Sequence, residues 1–409
     1  MGEQIAGLDV LGEEYFADPH AYHAAVREQA AATQVVLPRG TKAWLVTRYE
    51  EARLALADPR FSKHFERFPE VMELNRVGDQ EPMVFDESLV QHMLNMDPPH
   101  HTRLRKLVTK AFTARRVEQL RPRIQEITDQ LLRDVEGKSE LDLVDALAFP
   151  LPITVICEML DVPMEERDEF RRWSNVLVAG GSDAKALQDA GTQMAGYLMK
   201  LVEHKKADPG DDFFSALVHA DEEGDRLDQM ELIAMAFLLL VAGHETTVNL
   251  IANGVHHLVR NPDQLAKLRA DRTLLPGAVE EVLRYDSPVN QSTFRYTSED
   301  VELGDVVIPK DSLVVVALSG GNRDGSRFPD PDRLDITRQA AGHLAFGHGI
   351  HYCLGAPLAR MEGEIAIGTL FDRFDVALTV EPHELRWRPG ALIRGVEELP
   401  VSLTPRGAR

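Results

Sequence analysis

Cysteine is nearly missing from this chain: two residues in 409. Two cysteines cannot build a disulfide framework, and so low a count suits a reducing compartment. Aromatic residues are also sparse at 6%, and positive charge is short, with 45 lysines and arginines against 66 acidic residues, a net charge of −21. That balance disfavours non-specific binding to nucleic acid or to an anionic membrane surface. Long apolar runs are lacking too. The longest, Leu232–Gly243, has 12 residues and stops at His244 and Glu245, too short by itself to span a bilayer. The N-terminus, MGEQIAGLDVLGEEYF, is acidic and has no basic segment ahead of an apolar core. No secretory signal is expected, and a cytoplasmic protein is.

What remains is ordinary globular composition, 44% hydrophobic and 27% charged. No repeat, low-complexity tract or interdomain linker interrupts it, and the likeliest loops, 206–212 and 324–333, are short. One domain over 1–409 is expected. Helical periodicity dominates: Val117, Leu120, Ile124, Ile127, Leu131 and Val135 recur at three- and four-residue steps and predict one helix there. Further helices are expected near 20–30, 49–57, 100–113, 147–161, 164–178, 184–205, 262–269, 275–286 and 354–373. Residues 228–259 predict one long core helix, apolar on nearly all sides. Strand signals cluster at Ala43–Tyr49 and at 305–318, the latter as a hairpin. Mainly α with a smaller β region is the predicted architecture. The stretch 63–91 has no sustained period and is expected to be a substrate-facing loop.

Cys157 lies in an apolar helical pattern and is expected to be a core residue. Cys353 stands in FGHGIHYCLG, Phe346–Gly355, just before a helical pattern with Leu358, Met361, Ile365 and Thr369 on one stripe. Free N–H groups and the positive dipole end favour a thiolate there. Gly347, Gly349 and Gly355 let the backbone turn tightly and approach a flat ligand, with Phe346 placed to pack beside it. Three readings are open for the loop alone. Cys353 joins His348 and His351 around zinc, with His343 as a further candidate ligand; or it is the sole axial ligand of a haem iron; or it is a cysteine buried in a tight turn.

Phe346-Gly347-x-Gly349-x-His351-x-Cys353-x-Gly355 resembles the haem-binding signature of the cytochrome P-450 family of haem-thiolate monooxygenases. Three further motifs occur in that family's order. AGHETT at Ala242–Thr247 lies in the long core helix. Ala242 and Gly243 are small enough for cofactor and substrate to come close, and a carboxylate in mid-core is costly without a task. The resemblance implies that Glu245 and Thr246 deliver protons to dioxygen. Glu281-Val282-Leu283-Arg284 places an acid and a base on one helix face. By resemblance the pair is buried, with Arg333 as third member, and holds the cysteine loop; Leu334 stands where the family often has Phe. In MDPPHHTRLRKLV, Asp97 before two prolines is a helix start. His101 and Arg105 share a helix face, and the resemblance makes them partners of the haem propionates together with Arg295 and His351. The similarity runs from about Asp18 to Pro400. It implies a P-450 fold with haem b (iron protoporphyrin IX) between the core helix and the cysteine-loop helix, and Cys353 as the metal ligand.

The resemblance further implies electrons from a ferredoxin, served by an NAD(P)H-dependent reductase, with no fused flavin domain. Arg103, Lys106, Lys110, Arg115 and Arg116 form a basic cluster in an acidic chain and are expected to be its docking surface. By the same similarity the substrate pocket takes Phe85, Val178, Leu239, Ala242, Gly243, Val289, Asn290, Leu392 and Ile393, an apolar set. Asn290, Gln291 and Glu87 are candidate polar handles, and Glu81, Asp86 and Glu87 candidates for an aminosugar. The chain looks most like actinomycete members that hydroxylate macrolides and other polyketides, with steroids among the substrates of their relatives. The expected reaction is insertion of one oxygen atom from O2 by hydroxylation or epoxidation, in a monomer. A haem gas sensor or carrier without turnover, and a zinc-stabilised helical module, are the rival readings. The sensor has no use for Glu245 and Thr246, and the module lacks a fourth ligand.

Overall fold

The computed structural model describes residues 4–5, 7–38, 40–77, 87–179, 184–222 and 224–407. The architecture is mainly helical with a smaller β region. At its centre runs one helix, Gln229–Arg260, of 32 residues. Its start is set by a capping box: Asp228 accepts from the Glu231 amide, and Glu231 accepts from the Asp228 amide. Apolar residues on nearly every side explain why it threads the core. Alone, the 12-residue run falls short of a bilayer. The whole helix is long and apolar enough to cross one, at mean hydropathy 1.5 over 18 residues, but 56% of that window is buried inside the fold. The apolar pattern continues past His244 and Glu245 through Val248, Ile251 and Val255, which is what the shorter run concealed.

Helices packed against this core helix include Pro150–Leu160, Ala184–Ala207, Leu275–Tyr285 and Ala356–Arg373. The helix of the MDPPHHTRLRKLV motif, His100–Ala111, has Pro99 at its N-cap. Asp97 does not cap it by its side chain. That carboxylate instead accepts from Ser62 Oγ (2.6 Å) and the Lys63 amide (3.0 Å), tying the Phe61–Ser62 strand to the helix start.

Three expectations change. Residues 117–135 form two helices, Ala114–Gln119 and Arg121–Asp134, because Pro122 lacks the amide needed to continue the first. Residues 305–318 are two strands that do not pair with each other. Val306–Ile308 pairs back with Val301–Leu303, and Leu313–Val316 joins the main sheet between Thr41–Val46, in parallel, and Arg295–Thr297. Asp311, at φ 59°, turns the chain between them. Within 63–91 a helix, Phe68–Leu74, appears; it buries only Val71, too little apolar surface to show a period.

The main sheet has seven strands in the order Gln4–Ile5, Leu8–Val10, Ala32–Leu37, Thr41–Val46, Leu313–Val316, Arg295–Thr297, Phe61–Ser62. Its inner end carries Arg295 and Lys63 toward the His100–Ala111 helix.

Candidate functional site

The cysteine loop is closed by its own backbone. The Cys353 amide donates to the Phe346 carbonyl at 2.9 Å, and Gly347 donates to Leu344 at 2.8 Å. Gly347 and Gly349 sit at φ +73° and +75°, where an L side chain is strained, and a Cβ at Gly349 would lie 3.0 Å from the Leu56 carbonyl oxygen. Cys353 Sγ faces the amides of Gly355 and Ala356 at the start of the Ala356–Arg373 helix. Burial pushes its thiol up; those amides and the charges of Arg105 and Arg360 pull the other way. Phe346 is buried in a cluster with Leu250, Val279, Val282 and Ala356, and Cys353 packs on it. The Arg360 guanidinium lies 4.5 Å from the Phe346 ring. Arg360 also grips Glu280 (2.6 and 3.0 Å), which meets His343 at 3.2 Å. Burial works against the Glu280 carboxylate, yet His343 and Arg360 hold it down at about 2. Glu280 was missed by motif reading, although it stands beside Glu281. His343, a candidate zinc ligand in the sequence, is committed to Glu280 and to the Ala345 amide.

Glu281 and Arg284 are wholly buried and joined by two bonds of 2.7 and 2.8 Å. Their third member is Arg338. Its Nε donates to Glu281 Oε1 at 3.1 Å. Arg333 is exposed and contributes only its carbonyl, which accepts from Arg284 and Arg338. The chain turns between the two positions through the amides of Asp335 and Arg338, and Asp335 N itself donates to Glu281.

Against the loop's His351, cations and imidazoles converge. His101 and His351 meet edge to face, with ring centroids 4.5 Å apart. Both ring nitrogens of His101, Nε2 of His351 and Nε of Arg295 are buried without a hydrogen bond. Burial, followed by the charges of Lys63, Arg295, His101 and Arg105, pushes His351 down to about 2, and burial pulls Arg295 to about 10. Lys63, which the sequence reading passed over, is 4% exposed, donates to Thr293 Oγ1 and the Phe294 carbonyl, and is driven well below its usual value by burial and by Arg295. Its place within an irregular stretch hid it. Several buried donors crowded in this way make a site for carboxylates. Together with an amide-facing cysteine, that is the donor set an iron porphyrin with two propionates requires.

The core helix is less buried from Phe237 to Thr246 than further along: Leu239 and Thr246 are partly open and Ala242 is exposed. Thr246 Oγ donates to the Ala242 carbonyl at 3.0 Å. Gly243 is partly open and also meets the neighbouring helix. A Cβ there would stand 3.0 Å from Ile156 Cδ1, so its small size admits the Pro150–Leu160 helix. Glu245 is buried, with Oε1 3.2 Å from His244 Nε2 and Oε2 3.3 Å from Arg388 Nη1. Burial raises its carboxyl, but His244, Arg388 and Arg171 hold it below the usual range.

Val289 and Ile393 are joined by a β-bridge, and Asn253 of the core helix donates to the Arg394 carbonyl. Leu392 and Ile393 therefore run along the core helix, and both are partly open. Asn290 and Gln291 are not free handles. Both amides donate to Tyr15 Oη (3.2 and 2.7 Å), and Asn290 Oδ1 accepts from Ser319. Phe85, Glu81 and Asp86 lie outside the described residues. So do the side chains of Val178 and Glu87. Among the docking cations, Arg103 is taken by Asp225 (2.7 Å) and Glu231 (2.5 Å), and Lys110 by Glu222 and the Asp221 carbonyl. Lys106, Arg115 and Arg116 are exposed.

A thiolate loop, a partly open stretch of a core helix and a cationic rim define a haem-thiolate oxygenase. The comparisons agree: the chain belongs to the cytochrome P450 family, whose model matches residues 156–394. Cytochrome P450 107B1 of Saccharopolyspora erythraea is 54% identical over 399 residues, covering 97% of this chain and 98% of the relative. The 6-deoxyerythronolide B hydroxylase of the same organism is 43% identical, covering 97% and 98%. The solved structure of the P450 monooxygenase TamI bound to tirandamycin C superposes with a TM-score of 0.89 at 48% identity, over 97% of this chain and all of that one. The protein is a P450 monooxygenase, and its family's cofactor is haem.

Proposed function

We propose that this monooxygenase hydroxylates or epoxidises a hydrophobic natural product of the macrolide or polyketide class, with electrons from a ferredoxin. The observation that supports the substrate reading is apolar side chains left open to contact: Leu239 and Ala242 on the core helix, and Val289, Leu392 and Ile393, the first and last joined by a β-bridge. With Asn290 and Gln291 committed elsewhere, shape and apolar contact would dominate recognition. A relative that hydroxylates 6-deoxyerythronolide B and a neighbour that binds tirandamycin C support the same class.

Cys353 would hold the iron, and His101, Arg105, Arg295 and His351 the propionates, joined by Lys63. When bound, the haem supplies the oxidising chemistry, and the protein supplies ligand, pocket and protons. Glu245 would take protons from solvent on the Arg388 side and pass them to the Thr246 hydroxyl. Lys106, Arg115 and Arg116 would receive an acidic ferredoxin; Arg103 and Lys110 are already neutralised within the fold.

The test is a panel of macrolides, linear polyketides, steroids and fatty acids, read by the shift of the haem band on binding. Macrolides or polyketides shifting the band at the lowest concentrations is the expected result. A panel in which only fatty acids or steroids do so overturns the reading.

A further inference from the structure

Hydrogen-bond accounting around His244 assigns this ring a part that the motif does not give it. Its Nδ1 lies 2.8 Å from the Leu240 carbonyl oxygen. A carbonyl only accepts, so Nδ1 carries a proton. Its Nε2 lies 3.2 Å from Ser174 Oγ and 3.2 Å from Glu245 Oε1. The Ser174 hydroxyl donates to the Arg171 carbonyl at 3.2 Å, which leaves an oxygen lone pair toward His244. A bare Nε2 would then face two lone-pair donors in a ring that is 0% exposed, an arrangement that burial makes costly. A proton between Nε2 and Oε1 removes the conflict.

We propose that His244 is the proton-holding partner of Glu245: the two share one proton, kept on the imidazole while the carboxylate is ionised. The charged groups around the pair agree. Arg388 Nη1 stands 3.3 Å from Glu245 Oε2. Arg171, bonded to Asp145 at 2.6 Å, lies 3.9 Å over the Phe149 ring, whose edge meets His244 with centroids 6.2 Å apart. Two guanidinium groups thus favour carboxylate over carboxylic acid at Glu245. For Glu245 to hand a proton toward Thr246, the His244 Nε2–H proton first moves to the carboxylate at Oε1; the carboxyl then gives it up, and water on the Arg388 side returns one proton to the pair. Arg388 is 26% exposed at its side chain, so that side reaches solvent.

This rests on the reading of Glu245 and Thr246 as the relay, and the two are tested separately. Infrared spectra of the haem-loaded protein are recorded against pH for the wild type and His244→Gln, with Glu245→Gln used to assign the carboxyl band. His244→Gln keeps an amide donor for Leu240 or Glu245 but holds no exchangeable cationic proton. The expected result is that Glu245 becomes protonated at least one pH unit higher in that variant, a tenfold change in proton affinity. An unchanged midpoint overturns the proposal. Should His244→Gln lose its haem, His244→Asn is read in the same way, and an unchanged midpoint there overturns the proposal equally. The relay reading falls instead if Thr246→Ala, turned over with surrogate redox partners and a panel ligand that shifts the haem band, diverts no more electrons to hydrogen peroxide than the wild type.

Discussion

Arg338 Nε donates to Glu281 Oε1 at 3.1 Å, in a pair whose carboxylate is wholly buried and whose guanidinium is 13% exposed at its side chain. The same guanidinium also bonds the carbonyls of Pro329, Asp330 and Arg333. The loop ahead of the cysteine is thereby pinned to the Leu275–Tyr285 helix from two directions, by Arg284 and by Arg338. Arg338→Ala is expected to cost about 2–3 kcal/mol, the range for a charged hydrogen bond to a buried carboxylate. It should also speed haem loss to a haem-accepting protein. Arg333→Ala keeps the backbone carbonyl and should stay within about 0.5 kcal/mol. Thermal midpoints and haem-transfer rates of the two variants check this. Equal effects would contradict the assignment.

Glu362 gives a pH prediction. It lies on the cysteine helix, is 1% exposed, and neither carboxyl oxygen has a hydrogen bond. Burial pushes its carboxyl up to about 8, against an opposing pull from Thr247. The folded protein therefore keeps this proton over a range in which the unfolded chain releases it. Stability falls as pH rises from the unfolded value near 4.5 to about 8 and stays reduced above that. Glu362→Gln removes the slope. Its thermal midpoint should match the wild type near pH ~5 and exceed it near pH ~8.5, by a free energy on the order of 3 kcal/mol. Parallel midpoint curves for the two proteins would refute the buried neutral acid.

The docking proposal separates two kinds of cation. Replacing Lys106, Arg115 and Arg116 together with alanine should slow reduction by a ferredoxin roughly tenfold at low ionic strength. The gap should close as salt approaches about 1 M. Arg103→Ala should instead lower stability, because it strands Asp225 and Glu231, the latter part of the core helix's capping box. Stopped-flow reduction across a salt series distinguishes them. A triple variant reduced at the wild-type rate at every salt concentration would move the docking surface elsewhere.

Much of the site was legible because its chemistry is local in sequence. The cysteine loop, the AGHETT turn and the Glu281–Arg284 pair each lie within one element, where spacing fixes which side chains share a face. What depends on a second element was not legible. Ile156 filling the space at Gly243, Tyr15 absorbing the amides of Asn290 and Gln291, and Arg388 reaching Glu245 all join residues far apart in the chain. Arg338 was missed for a narrower reason: five residues separate it from Arg333, and only the turn geometry decides which guanidinium points inward. Lys63 and Glu362 have no motif to announce them. Only the burial of an ionisable side chain reveals them.

The central claim is that Cys353 sulfur binds the haem iron. The reduced, carbon monoxide-treated protein is the most direct test, comparing the wild type with Cys353→Ser at equal haem content. The wild type is expected to show the red-shifted Soret band of a thiolate ligand, and the serine variant to lose it while its far-ultraviolet dichroism stays helical. A serine variant that keeps the band, or a wild type that never shows it, would contradict the account.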